Sequence, residues 1–215
     1  VLLAAIRDLQ WRRRRFAITV VGTSLVFALS LLMSGLSNAF FVEVDRTLDD
    51  QGARAWIAAQ DSDGAFSPGT FLLPGEVEAI RAAAAPKRVA PLVFGSATTP
   101  DGSGEVVNVN VIGVVPGDLG APTEVRDGTT ELVDGTAIVP ARLDLDLGES
   151  VRIAGGEYEV IGVVDEASLI AGTQTVTLTL GDAQRALLGG EPLVSMVLSE
   201  SPSPRLPAGY QAFTR

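Results

Sequence analysis

The sequence contains no cysteine and no histidine. Without cysteine there is no disulfide framework, so any part outside a membrane holds together by packing alone, a condition commoner in bacterial envelope proteins than in small secreted eukaryotic domains. The same two absences remove the usual nucleophile–base pairs of covalent catalysis and most zinc sites. Lysine occurs once, as Lys87 in a Pro-Lys-Arg turn with no phosphate loop around it, so this chain does not hydrolyse nucleotide by that route. No G-x-S-x-G elbow is present. Gly113, Gly117 and Gly120 lack dinucleotide-site spacing and read as turn residues. Carboxylates are plentiful but unspecific. Asp61-Ser62-Asp63-Gly64 starts like a calcium loop, yet Phe66, Pro68 and Thr70 stand where further ligands belong, so an Asp-rich turn is the reading. Asp144, Asp146 and Glu149 form a solvated face, with Leu143, Leu145 and Leu147 expected to point inward; nothing marks them as a glycoside-cleaving pair. No catalytic, cofactor or metal residue is assigned, and the chain reads as a non-enzyme.

Charge is divided unevenly. Residues 1–42 carry a net charge of +4 and residues 43–215 a net charge of −14, within a total of −10. The acidic part offers nothing to neutralise phosphates, which argues against nucleic acid and against docking on anionic lipid. The basic part ends in Arg12, Arg13, Arg14 and Arg15, directly before 27 residues, Phe16 to Val42, with no charged side chain. As a helix rising about 1.5 Å per residue this run extends roughly 40 Å, more than the ~30 Å of a bilayer's hydrocarbon core. Only an element that satisfies its own backbone hydrogen bonds can cross lipid, which makes the run a helix. Basic flanks stay cytoplasmic, so the N-terminus is expected inside the cell membrane and everything after about residue 42 outside. Leu2, Leu3, Ile6 and Leu9 recur at helical spacing before Trp11, as in a helix lying on the inner membrane surface with an interfacial aromatic. Trp11 and Arg12–Arg15 are thus the anchoring and orienting residues. The alternative is a signal peptide cleaved near Ser37-Asn38-Ala39, but the apolar run is longer than the roughly 7–15 residues of a signal-peptide core.

Past the span the helical pattern continues from Asn38 to Gln51, with Phe41, Val44 and Leu48 on one side, so a stalk helix ending near Gly52 is expected. Strands are expected at Ala53–Gln60 (with Trp56 as a core anchor), Val89–Thr98, Glu105–Val115, Thr136–Pro140, Ser150–Ala154, Glu157–Val164, Thr175–Leu180 and Leu193–Ser199. Helices are expected at Pro74–Ala84, where Pro74 suits the first turn and Val77, Ile80 and Ala84 share a face, and at Gly181–Leu188, with Thr179 and Asp182 at capping-box spacing and Gly189 as the stop. Val107, Val109 and Val111 alternate with Asn108 and Asn110, giving one buried and one wetter face. Val-Ile-Gly-Val-Val occurs at 111–115 and again at 160–164. Either buried strands draw on few residue types, or two related β-rich units are present; a glycine inside such a strand marks a bulge or a close backbone approach. The fold class is α+β: an N-terminal transmembrane helix extended as a stalk, then a β-rich extracytoplasmic domain with short helices, built on one core or two small lobes. The expected division is 1–15 as a membrane-surface helix, 16–42 as the span and 43–215 as the outer domain.

From Thr136 the order of motifs becomes informative. Thr136-Ala137-Ile138-Val139, the stretch from Leu143 to Gly148, Ser150 to Gly156, Tyr158 to Val164, and the Gly172–Leu188 segment (GTQTVTLTLGDAQRALL) resemble the extracytoplasmic core domain of FtsX/MacB-type ABC transporter permeases. The first 42 residues resemble the N-terminal surface helix and first span of such proteins. The resemblance implies a permease with its outer domain between the first and second spans, further spans after residue 215, a separate ATPase subunit as partner, and pairing as a homodimer or with a second permease. It implies that the outer domain is a moving part, serving export or extraction of a hydrophobic or peptide-like substrate. The competing expectation is a single-pass membrane-anchored binding or scaffold domain.

Overall fold

The computed structural model describes residues 13–50, 52–62, 71–165 and 173–214, with 13, 16 and 36–50 described as backbone only. Helix α1 (Arg13–Asp50) is 38 residues long and unbroken at Ser37-Asn38-Ala39. Its stretch Ala17–Gly35 is long and apolar enough to cross a membrane, and Ile18, Phe27, Leu31 and their neighbours there are exposed. A unit ending at Glu43 and a unit from Val44 to Arg215 are each compact in themselves.

Among the described residues the outer unit holds one ten-stranded sheet and two short helices. In chain order the elements are β1 (Ala55–Ala59), α2 (Pro74–Ala84), β2 (Val89–Pro100), β3 (Val106–Val114), β4 (Asp127–Gly128), β5 (Thr136–Pro140), a 3-10 turn (Ala141–Leu143), β6 (Ser150–Ile153), β7 (Gly156–Val164), β8 (Gln174–Thr179), α3 (Leu180–Leu188), β9 (Met196–Ser199) and β10 (Tyr210–Thr214). The sheet runs β10-β1-β9-β2-β3-β8-β5-β7-β4, with β6 also on β7. The long β2 joins two half-sheets: Val89–Leu92 pairs with β9, and Val93–Pro100 pairs with β3 on the opposite edge. At the changeover Ser195 extends the ladder, its N–H donating to Leu92 O (2.9 Å) and its hydroxyl accepting from Phe94 N (2.9 Å) and donating to Phe94 O (3.1 Å). Beyond it the sheet curls until β6 packs against β2.

Both faces of the sheet are buried. One carries Ile57, Val93, Val109, Val111, Val176 and Leu178, with α2 contributing Val77 and Ile80 and α3 contributing Ala183. The other carries Trp56, Leu92, Ile112, Ile138 and Leu198 beneath Leu119, Ala121 and Leu132. The two copies of Val-Ile-Gly-Val-Val lie on β3 and β7, each the second strand of a hairpin with a parallel strand on its other side. Their glycines serve different ends. A Cβ on Gly113 would lie 2.2 Å from Ala183 Cβ, so glycine there lets α3 settle on the sheet. Gly162 sits at a bulge, where Ala137 faces Val160 but Ile138 faces Gly162, and a Cβ there would meet Thr129 O at 2.6 Å.

Several expectations need correction. Leu147 is 48% exposed, because Leu143 closes a 3-10 turn, Asp144 takes a left-handed φ of 52°, and no strand alternation runs through the segment. Asn110, expected on the wetter face, is 2% exposed, and its Nδ2 has no partner. The last expected strand begins at Met196 rather than Leu193, Val194 instead bridging to Leu72. Strands β4 and β10 were not anticipated. The expected turn at Asp61–Gly64 lies partly outside the described residues; Ser62 donates to Ala59 O (2.9 Å).

Gly113→Ala is expected to destabilise the outer unit by about 1–3 kcal/mol through overpacking against Ala183. Adding Ala183→Gly should recover part of that loss, read as the shift of the denaturant unfolding midpoint.

Candidate functional site: the apolar helix and the polar contacts of the sheet domain

Of the residues expected to anchor and orient the helix, Trp11 and Arg12 lie outside the described residues. Arg13 begins α1, and Arg14 and Arg15 are exposed. Within the span, hydroxyls are turned back onto the helix: Thr19 Oγ1 donates to Arg15 O (3.0 Å) and Thr23 Oγ1 to Thr19 O (2.8 Å). This satisfies polar groups that lipid could not.

Where α1 ends, Gly52 takes φ +65°, the left-handed conformation that favours glycine after a helix. The chain then enters the sheet at once. Arg54 N donates to Ser199 O (2.8 Å), and Ala55 faces Ser199 on one side and Thr214 on the other. Trp56, opposite Leu198 and Phe213, anchors β1 in the core, as the sequence led one to expect. At the far end of β1 a clamp holds β10. Gln60 N donates to Gly209 O (2.9 Å), Gln211 Nε2 to Gln60 O (2.8 Å) and Ser62 O (3.0 Å), and Tyr210 Oη to Glu76 Oε1 (2.7 Å). Glu76 Oε2 also accepts from Leu73 N (2.7 Å), the half of a capping box that Leu73 cannot reciprocate. The Leu73 N–H and the Tyr210 hydroxyl hold the Glu76 carboxyl below its ordinary range, and the same bond to Glu76 raises the Tyr210 phenol.

A second polar cluster ties α3 to the sheet. Thr179 caps α3, accepting from Asp182 N (3.2 Å), and shares its hydroxyl proton between Asp134 Oδ1 and Asp182 Oδ2, each 2.9 Å away. Asp182, only 3% exposed, also accepts from Gly135 N (2.8 Å) and from Arg185. The bond from Asp182 raises the Arg185 guanidinium, while burial, followed by the Asp182 charge, raises the Tyr158 phenol. Thr179, Asp182, Asp134 and Arg185 are partnered with one another within the protein. Among the described residues no group of three His, Cys, Asp or Glu side chains could hold a metal ion. Sequence reasoning found Thr179, Asp182 and Gly189 from capping spacing. It missed Tyr210 and Glu76, whose pairing joins distant segments; the only signal was the β-prone run Tyr210–Thr214 after Pro207-Ala208-Gly209.

An apolar helix followed by this sheet defines a membrane-anchored extracytoplasmic domain of α+β build. The chain belongs to the MacB-like periplasmic core domain family, whose model matches residues 16–203. Two uncharacterized ABC transporter permeases of Mycobacterium tuberculosis, Rv2563 and Rv0072, are each 31% identical over the whole of this chain, which spans 61% of their length. In fold the chain is similar to the extracellular domain of the noncanonic ABC-type transporter YknZ from Gram-positive bacteria (TM-score 0.53, 16% identity, 75% of this chain and 99% of that one). It is similar also to the periplasmic region of MacB from Actinobacillus actinomycetemcomitans (TM-score 0.53, 12% identity, 79% and 94%).

Two substitutions test these two polar clusters. Asp182→Ala leaves the Gly135 N–H without its acceptor, and is expected to cost about 1–3 kcal/mol in denaturant unfolding. Tyr210→Phe removes a bond to a carboxylate whose folded pKa is lowered. That bond's contribution is therefore present at neutral pH and lost as pH falls through the carboxylate range. The difference between wild type and Tyr210→Phe in unfolding midpoint should shrink on acidification from pH 7 to pH ~3.

Proposed function

We propose that this chain is part of an ABC transporter permease subunit that passes ATPase-driven motion across the membrane to its extracytoplasmic domain, for export or extraction of a hydrophobic or peptide-like substrate. One observation carries the reading: α1 is a single helix from Arg13 to Asp50, continuous from the apolar stretch to within five residues of β1. At about 1.5 Å per residue it measures roughly 57 Å, longer than a bilayer core needs. A helix is stiff along its axis, so displacement at one end arrives at the other. The two permease relatives and the family assignment support the same reading.

On this proposal Arg12–Arg15 hold the N-terminus in the cytoplasm, Trp11 sits at the inner interface, and lipid surrounds Ala17–Gly35. Residues 1–15 lie on the inner membrane surface, and the segment after Val42 leaves the bilayer as the stalk. A separate ATPase subunit drives the motion, and the permease subunit pairs as a homodimer or with a second permease. The chain's own residues then do mechanical work only, in keeping with a site made of caps, clamps and close packing.

Replacing Arg12–Arg15 with glutamine tests the orientation. Because the chain lacks cysteine, Ser203→Cys is a unique reporter. The reporter should react with a membrane-impermeant maleimide from outside in the parent and lose that one-sidedness in the Arg-free chain, while the outer unit stays folded. Val44→Pro should break α1 and abolish stimulation of the co-expressed ATPase without lowering the outer unit's unfolding midpoint. An ATPase that neither copurifies nor responds would sink the transport reading in favour of an anchored scaffold.

A further inference from the structure

The two half-sheets that β2 joins share no rung. Among the described residues none of β2 is paired on both sides: Val89–Leu92 bond to β9 alone and Val93–Pro100 to β3 alone. One half comprises β10, β1, β9 and the start of β2. The other runs from the rest of β2 through β3, β8 and β5 to β7, which carries β6, and β6 returns to pack on β2. This second half is locked by an exchange of strands. The two copies of Val-Ile-Gly-Val-Val lie in the hairpins β2–β3 and β6–β7. The next long strand after each hairpin crosses to the other one: β5 lies parallel to β7, and β8 parallel to β3. β5 and β8 then pair with each other. Neither hairpin can leave without drawing a central strand out of its ladders, so this half is one body. The first half, with β1 bonded along both edges and α2 tied to β10 through Glu76 and Tyr210, is another.

Apolar contacts cross the junction in both cores, but apolar contact is non-directional and lets one body tilt on the other. The ladder between β9 and β2 stops where Met196 faces Leu92. Ser195, one residue earlier, replaces the next rung. Its N–H donates to Leu92 O (2.9 Å), while its hydroxyl accepts from Phe94 N (2.9 Å) and donates to Phe94 O (3.1 Å). Phe94 already belongs to the second body, opposite Ile112 of β3. One hydroxyl thus takes the place of a backbone N–H and C=O at the changeover. Other polar ties cross here too. Gln184 Nε2 donates a single bond to Leu193 O (3.0 Å), and Arg88 pairs with Asp118 (2.6 Å), an exposed ion pair of small worth.

We propose that the Ser195 hydroxyl is a catch that fixes the angle between the two bodies, so that the outer unit moves as one. Its release breaks no strand pair and leaves β2 as a hinge between bodies that are each intact. The inference concerns the outer unit alone, so it stands or falls separately from the transport reading.

The absence of cysteine allows pairs of spin labels to be placed in the full chain. Ala82→Cys on α2 with Glu159→Cys on β7 spans the junction, whereas Asn108→Cys on β3 with Glu159→Cys lies within the second body; each site is exposed. Measured by double electron–electron resonance, Ser195→Ala should at least double the width of the spanning distance distribution and leave the other unchanged. Ser195→Thr, which keeps the hydroxyl, should show the parent's narrow distribution. Should Ser195→Ala not accumulate, Ser195→Val matches Ser195→Thr in shape without its hydroxyl and carries the same comparison. An unchanged spanning distribution, equal broadening of both pairs, or a Ser195→Thr chain as broad as the hydroxyl-free one would each overturn the proposal.

Discussion

The outer unit depends on β1 being held along both edges. A two-stranded ribbon is marginal in water, and β1 with β10 alone would be one. The third strand, β9, turns the ribbon into the end of a sheet, with Ala55 between Ser199 and Thr214 and Trp56 between Leu198 and Phe213. Because β10 runs antiparallel to β1, it ends beside the place where β1 begins, although nearly the whole unit separates them in sequence. Bringing such distant segments together costs loop entropy that grows only slowly with length. The cost is met by a continuous core beneath all three strands and by the clamp at their far end. On the transport reading this matters mechanically, since a displacement entering at Gly52 meets a strand bonded on both sides.

The second constraint is the absence of disulfides. Stiffness comes instead from very close backbone contacts and from one buried polar cluster. A Cβ on Gly102 would lie 1.8 Å from Asp144 O, so the β2–β3 hairpin tip rests directly on the turn after Leu143, with Gly102 N donating to Leu143 O (2.8 Å). Asp101 braces the tip by accepting from Ser103 and Glu105, which holds its carboxyl below the usual range. Asp182 joins the lead into β5, the end of β8 and the start of α3 through one carboxylate. Such contacts fix geometry where a crosslink would, but each works only with every partner in place. Not every buried group finds one: Asn110 Nδ2 and Thr175 Oγ1 lie on residues opposite one another across β3 and β8, both without a partner among the described residues. Unpaired groups of this kind cost about 1–3 kcal/mol each, and only close packing elsewhere can carry that.

Much of this was readable from the residues. Strong periodicity with end signals located α1, α2 and α3 well: Pro74 and Thr179 mark starts, Gly52 and Gly189 mark ends. Alternating or continuous valine runs located β2, β3, β5, β7 and β8 within a residue or two. The glycine of each Val-Ile-Gly-Val-Val copy was expected to mark a bulge or a close approach, and each does one of these. What failed was local pattern without a partner in view. The Leu143, Leu145, Leu147 alternation suggested an inward face, yet Asp144 turns left-handed and only Leu143 is fully buried. Asn110 looked wet because its burial is set by what covers the sheet, which one strand's sequence does not contain. β10 escaped notice because five uncharged residues after a Pro-rich stretch carry little signal until β1 is known to need a neighbour. The Tyr210–Glu76 bond is of the same kind, being fixed by topology and not by spacing.

Fold likeness at 12–16% identity carries architecture and nothing of substrate. That limit follows from the constraints themselves. A Cβ excluded at Gly113, a bulge at Gly162, a capped helix at Thr179 and an apolar residue at every second strand position can be met by many sequences. None of them specifies what the surface touches. An enzyme at this divergence would still have to keep a reacting group and its activator in register. A domain whose work is to stay rigid while being moved needs no such group, and can drift everywhere except where stiffness is decided. On the proposed transport reading, the partnering of the Asp182 carboxylate and the unbroken α1 serve the same end. On that reading, what must be kept is the path of a displacement from helix to sheet, and side-chain chemistry matters chiefly where it keeps that path from yielding.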